Sequence, residues 1–106
     1  RKGKRILAET SITEIVKRVS FITKISENKI VGKSRERDIA EARQLAAYLC
    51  RNILGSTLVN IGMYLGGRDH TTIMYAYKNI VKRMREEPRI KNIVESLEKE
   101  FSYSLN

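Results

Sequence analysis

Apolar residues recur three and four positions apart along most of this chain, and β-branched runs with a period of two are absent. That spacing lines one face of an α-helix, whereas half-buried strands alternate from face to face. The chain is therefore expected to be all-α. Ile12, Ile15, Val16, Val19 and Ile22 form one stripe, and Ile39, Ala42, Leu45, Ala46, Leu49 and Ile53 a second. Ile73, Ala76, Tyr77, Ile80 and Met84 form a third, and Ile90, Ile93, Val94, Leu97 and Phe101 a fourth.

Capping residues and breakers divide these stripes into about five to six helices. Ser11-Ile12-Thr13-Glu14 reads as a capping box that starts the first. Residues 1–10 carry Arg1, Lys2, Lys4 and Arg5 without an apolar period and read as a basic linker from an upstream region. A helical turn is expected near Ser26–Ile30, before Gly32. A long helix should run from Asp38 to a cap at Gly55. Thr57 should cap a short helix, Leu58–Leu65, that stops at Gly66-Gly67, and another should run from Asp69 to about Arg85. Pro88 suits the first turn of the last, where its missing N–H is harmless. Residues 11–106 are expected to form one domain.

The balance of charge narrows the function. Lys and Arg outnumber Asp and Glu by 21 to 12, a formal net charge of +9. So basic a small domain favours a polyanionic partner, nucleic acid first and an anionic membrane surface second. Cys50 is the only cysteine, so an internal disulfide and a cysteine-rich zinc site are both excluded. It reads as a small core residue. No apolar run reaches the ~18 residues of a membrane span, and the chain is expected to be soluble and cytoplasmic. Its first residue is Arg1 rather than Met, so it is expected to be a piece of something longer.

A short helix, a turn with glycine and a second helix make the helix-turn-helix pattern, here 57–65, 66–68 and 69–85. The first residues of such a second helix reach base edges in the major groove of double-stranded DNA. Arg68, Asp69, His70, Thr71 and Thr72 occupy that place. Arginine pairs with guanine or phosphate, Asp accepts from the cytosine amine, and Thr offers a hydroxyl and a methyl. Tyr75, Lys78, Lys82 and Arg85 follow on the side opposite the third stripe. On the long helix Arg37, Gln44, Tyr48 and Arg51 share a face, polar and basic. Tyr64 is expected to pack.

Catalytic readings fare poorly. His70 is the only histidine, and neighbouring Asp69 points about 100° away from it on a helix, so Asp69 cannot orient it as a triad requires. A lone histidine also makes a poor metal site. Gly32-Lys33-Ser34 imitates the end of a phosphate-binding loop, but Glu27 stands where that loop needs glycine. No enzyme activity, metal or bound cofactor is expected in this chain.

Gly66-Gly67-Arg68-Asp69-His70-Thr71-Thr72-Ile73 closely resembles the signature of the C-terminal DNA-binding domain of DnaA, the bacterial chromosomal replication initiator. Ala42-Arg43-Gln44-Leu45-Ala46 resembles that family's segment on the preceding long helix, and the likeness covers roughly residues 11–100. It implies a Trp-repressor-like helical bundle that binds TTATNCACA-type boxes at a replication origin. Asp69, His70, Thr71 and Thr72 would read bases in the major groove, with Tyr75 beside a thymine methyl. Arg35 would enter the adjacent minor groove. Lys33, Arg37, Arg43, Gln44, Arg51, Arg68 and Lys78 would meet phosphates, as would the backbone amides of Leu58 and Val59. The resemblance further implies ATP on an upstream ATPase domain. Separately, the basic start, Arg1 to Arg5, ahead of the amphipathic helix from Ile12 suits an anionic phospholipid contact near the N-terminal linker, and a membrane-surface or protein-docking module is a rival reading. This sequence departs from the family at Ala42 and Val59, where many members have proline, and dilutes its basic loop with Glu36 and Asp38. A transcription regulator or a transposition-associated protein using the same module is the nearest alternative, decided by what precedes Arg1.

Overall fold

Caps and glycines cut the chain into six helices: α1 (Lys2–Thr23), α2 (Glu27–Ile30), α3 (Arg37–Leu54), α4 (Leu58–Tyr64), α5 (His70–Glu86) and α6 (Pro88–Leu105). The structure is a computed structural model that describes residues 2–105, with the side chains of residues 12–101. No strand occurs among the described residues. Most boundaries sit where local chemistry puts them. Ser26 and Thr57 accept from the amides of Lys29 and Asn60, closing the starts of α2 and α4. Gly55 ends α3 in the left-handed region (φ 66°), its amide turned back to the Arg51 carbonyl.

One boundary differs. α1 runs unbroken through Ser11-Ile12-Thr13-Glu14 from Lys2, so that tetrapeptide lies inside a helix rather than at its start. A capping box only makes a start favourable where the preceding residues leave the helix. Residues 2–10 contain no proline and include Lys, Arg, Leu, Ala and Glu, all good helix formers. The side chains of that basic start lie outside the described residues.

The centre of the fold is α3, which packs against each of the other five helices. Its Ala42, Ala46 and Ala47 are fully buried, and such short side chains let helices approach it from several sides. Ile15 and Val19 of α1, Leu45 and Leu49 of α3, Ile61 of α4, Ile73 and Ile80 of α5, and Ile90 and Leu97 of α6 share one core. Cys50 belongs to it, its thiol pushed up to about 12 by burial. Two expectations fail at the margins: Ile22 is 36% exposed and Tyr64 is 40% exposed. Ile22 stands one residue before the end of α1, and Tyr64 ends α4, so neither has a further turn of helix to cover it.

Tyr48 is also placed differently. It is 7% exposed and its ring stacks on Tyr77 with centroids 5.0 Å apart, which joins α3 to α5 and removes Tyr48 from the surface. Nearby, Glu41 of α3 receives Arg83 of α5 at 2.6 Å and Arg89 of α6 at 2.9 Å, and Arg83 also reaches Glu87 at 2.7 Å. Burial alone would raise the pKa of Glu41, but hydrogen bonds from Arg89 and Arg83 outweigh it and hold the carboxyl below its ordinary range. Such a carboxylate stabilises the fold above its unfolded pKa, and the contribution is lost as pH falls through the folded value. Glu41→Gln should therefore cost about 1–3 kcal/mol at pH 7, with a difference from wild type that shrinks below pH ~4. Urea unfolding at the two pH values checks this.

Candidate nucleic-acid interface

Helices α4 and α5 meet through a turn that favours glycine. Gly66 and Gly67 both hold left-handed backbone, with φ of 85° and 73°. The Arg68 amide then closes on the Gly62 carbonyl at 2.9 Å, and Asp69 caps α5 by accepting from the Thr72 amide at 2.9 Å. Hydrogen bonds from the Thr72 backbone and side chain hold the Asp69 carboxyl below its usual range. Gly62 is needed for close approach instead: a Cβ there would lie 2.0 Å from the Arg68 carbonyl oxygen.

The apolar face of α5 is sunk in the core at Ile73, Ala76 and Ile80. The opposite face leaves Asp69, His70, Thr71, Thr72, Tyr75, Lys78, Lys82 and Arg85 exposed. Hydroxyl, imidazole, carboxylate and phenol groups thus crowd the first turns, and three cations follow along the helix. Beside it, the loop between α2 and α3 exposes Lys33 and Arg35, and Arg37 is exposed at the start of α3. A narrow cleft of about 90 Å³ between α3 and α5 is lined by Gln44, Arg68, Thr72 and Tyr75 among others, so these parts of the two helices open on one surface.

Two of the arginines expected at phosphates have other tasks. Arg43 is 8% exposed, and its guanidinium donates to the carbonyls of Ile30 (2.7 Å), Ser34 (2.9 Å) and Lys29 (3.1 Å). Arg68 is half-buried and donates to the carbonyls of Leu65 (2.5 Å) and Gly32 (2.6 Å). Both face their own backbone, because otherwise the loop carbonyls packed beside them would have no donor. Gln44 is half-buried, its amide oxygen accepting from Asn79 at 2.7 Å. Arg51 remains exposed while donating to the Ser56 carbonyl at 3.0 Å. Val59 is 58% exposed, and helix geometry leaves the first amides of α4 without acceptors inside the helix.

Sequence reasoning missed Asn79, Gly62 and Glu41. Gly62 could have been suspected, since glycine in the middle of a short helix has a propensity cost that packing must offset. Asn79 and Glu41 carry no such local signal. Among the described residues, no three of His, Cys, Asp or Glu cluster to hold a metal ion, and no helix is long and apolar enough to cross a membrane.

Comparison with known proteins agrees with this geometry. The family described as bacterial dnaA protein helix-turn-helix matches residues 12–80. The chain is 42% identical over 98 residues to the chromosomal replication initiator protein DnaA of Bifidobacterium animalis subsp. lactis, covering 92% of this chain and 17% of that protein. It is 40% identical over 95 residues to the DnaA of Lactococcus lactis subsp. cremoris, covering 90% of this chain and 21% of that protein. It thus spans about a fifth of the length of these curated relatives. A solved structure described as a DNA replication initiation factor superposes with a TM-score of 0.82 at 26% identity, covering 93% of this chain and 30% of the other.

Proposed function

The chain belongs to the helix-turn-helix family of bacterial DnaA, the DNA-binding module of replication initiators, and we propose that it reads a TTATNCACA-type box in double-stranded DNA at a replication origin. The observation that carries this is the uncovered start of α5, Asp69 to Thr72, beside an exposed basic loop. Asp69, His70, Thr71 and Thr72 read base edges in the major groove, and Tyr75 lies against a thymine methyl. Arg35 enters the neighbouring minor groove, where a narrow A·T tract concentrates negative potential. Lys33, Arg37, Arg51 and Lys78 neutralise phosphates, with Gln44 and the amides of Leu58 and Val59 as neutral donors. Arg43 and Arg68 are absent from that set because their donors face the protein backbone. Residues 1–10 lead in from an upstream ATPase domain that binds ATP, and the box reader places that domain on the origin in the cytoplasm.

Fluorescence anisotropy with a TTATCCACA duplex and a shuffled duplex across a salt series tests the reading. Four phosphate-bound cations predict a slope of log affinity on log salt of roughly −4 for both duplexes. The box should bind at least about a hundredfold tighter and keep that margin as salt rises. Equal affinities that fall together would reduce the chain to a basic, unselective DNA binder.

A further inference from the structure

The basic loop and the helix-turn-helix turn lie more than thirty residues apart in sequence, yet Arg68 and Lys33 tie them together, while Arg43 holds the loop from the side of α3. Arg43 gathers the carbonyls of Lys29, Ile30 and Ser34, which holds the end of α2 and the middle of the loop against α3. Arg68, at the mouth of the turn, reaches back to Gly32 at 2.6 Å and also holds Leu65. Lys33 approaches the Gly66 carbonyl at 3.4 Å. Contact is close enough that a Cβ on Gly66 would stand 2.3 Å from the Val31 carbonyl oxygen.

From this we infer that Arg43 and Arg68 are positioning residues: Arg43 fixes the loop to α3 and Arg68 ties it to the turn, so that Arg35 and the start of α5 meet DNA as one preformed surface. The inference rests on the box-reading role proposed above and adds to it the residues that set its geometry. Left free, the loop that carries Lys33 and Arg35 would have to be ordered at the moment of binding. The ties place it in advance. The guanidinium of Arg43 serves its three carbonyls from three separate nitrogens, whereas lysine supplies one compact ammonium in its place. Both guanidinium pKa values are lowered by burial, and that of Arg43 further by Arg68, in keeping with cations turned inward.

The test uses Arg43→Lys, which keeps the charge and removes the fork, and Arg68→Lys as an independent second variant, each assayed below its own unfolding temperature. Trypsin cleavage after Lys33, Arg35 and Arg37 should accelerate about tenfold or more in each variant, because local opening controls cleavage. Affinity for the box should fall about tenfold, the size of one lost groove contact, with the loss confined to the A·T pairs that Arg35→Ala also affects. In an Arg35→Ala background, Arg43→Lys should change affinity by less than about twofold, since the two changes remove the same contact. Discrimination at pairs read by α5 should persist in Arg43→Lys. Unchanged cleavage overturns the lock even if the box is read as proposed. A loss in Arg43→Lys that is uniform over sequence and additive with Arg35→Ala also overturns it, and would make Arg43 a phosphate contact. A wild-type chain without box preference but with accelerated cleavage in both variants refutes only the reading role, leaving the lock as a property of the fold.

Discussion

Replacing Gly62 with alanine should lower the unfolding free energy by about 3 kcal/mol, at the upper end of what overpacking costs. The added Cβ would lie 2.0 Å from the Arg68 carbonyl oxygen and 3.0 Å from its carbon, both backbone atoms that no rotamer change can withdraw. Relief requires α4 to move away from the turn. That motion breaks the 2.9 Å bond from the Arg68 amide to the Gly62 carbonyl and shifts Asp69, the cap of α5. Box binding should therefore weaken at temperatures where the chain is still folded. Gly67→Ala is the control: its Cβ meets nothing within 4 Å and carries only the strain of φ 73°. That substitution should cost about 1–2 kcal/mol. Urea and thermal unfolding measure both, and 3 kcal/mol corresponds to a fall of roughly 10–20 °C in Tm. A Gly62→Ala chain no less stable than Gly67→Ala would contradict the close approach of α4 and the turn.

His70→Ala should cost about 1–3 kcal/mol against the box and almost nothing against a shuffled duplex, because a base contact is lost. His70 is exposed on the first turn of α5, so the substitution should leave stability nearly unchanged. Arg51→Ala should behave in the opposite way. Its loss should fall on all sequences alike and reduce the salt slope by about one phosphate. Anisotropy titrations of both variants on both duplexes separate the roles. Identical sequence profiles for His70→Ala and Arg51→Ala would remove the division between base and phosphate contacts.

Features legible in the sequence were those whose partners lie a few residues away. Ser26, Thr57 and Asp69 each cap a helix through an amide three residues on, so composition and spacing locate them. Gly55 and Pro88 mark their helix ends for equally local reasons. The stripes of α3, α5 and α6 were legible because burial follows the helical period. Arg43 was not, since its partners lie 9, 13 and 14 residues away and meet it only once α2 has folded against α3. Tyr48 shares a helical face with Gln44 and Arg51, but stacking on Tyr77 draws it inward. Similarly, the start of α1 was misplaced because a good cap sequence is silent about whether the residues before it also favour helix.

One chain reading two adjacent grooves leaves a footprint in both, and methylation protection by dimethyl sulfate examines the two in a single complex. The reagent attacks guanine N7 in the major groove and adenine N3 in the minor groove, the atoms that α5 and Arg35 are proposed to cover. On a TTATCCACA duplex the guanines opposite the CCACA half should be protected together with the adenines in the TTAT half. Arg35→Ala should release only the adenines. Protection confined to one groove, or spread evenly over a shuffled duplex, would contradict the two-groove reading.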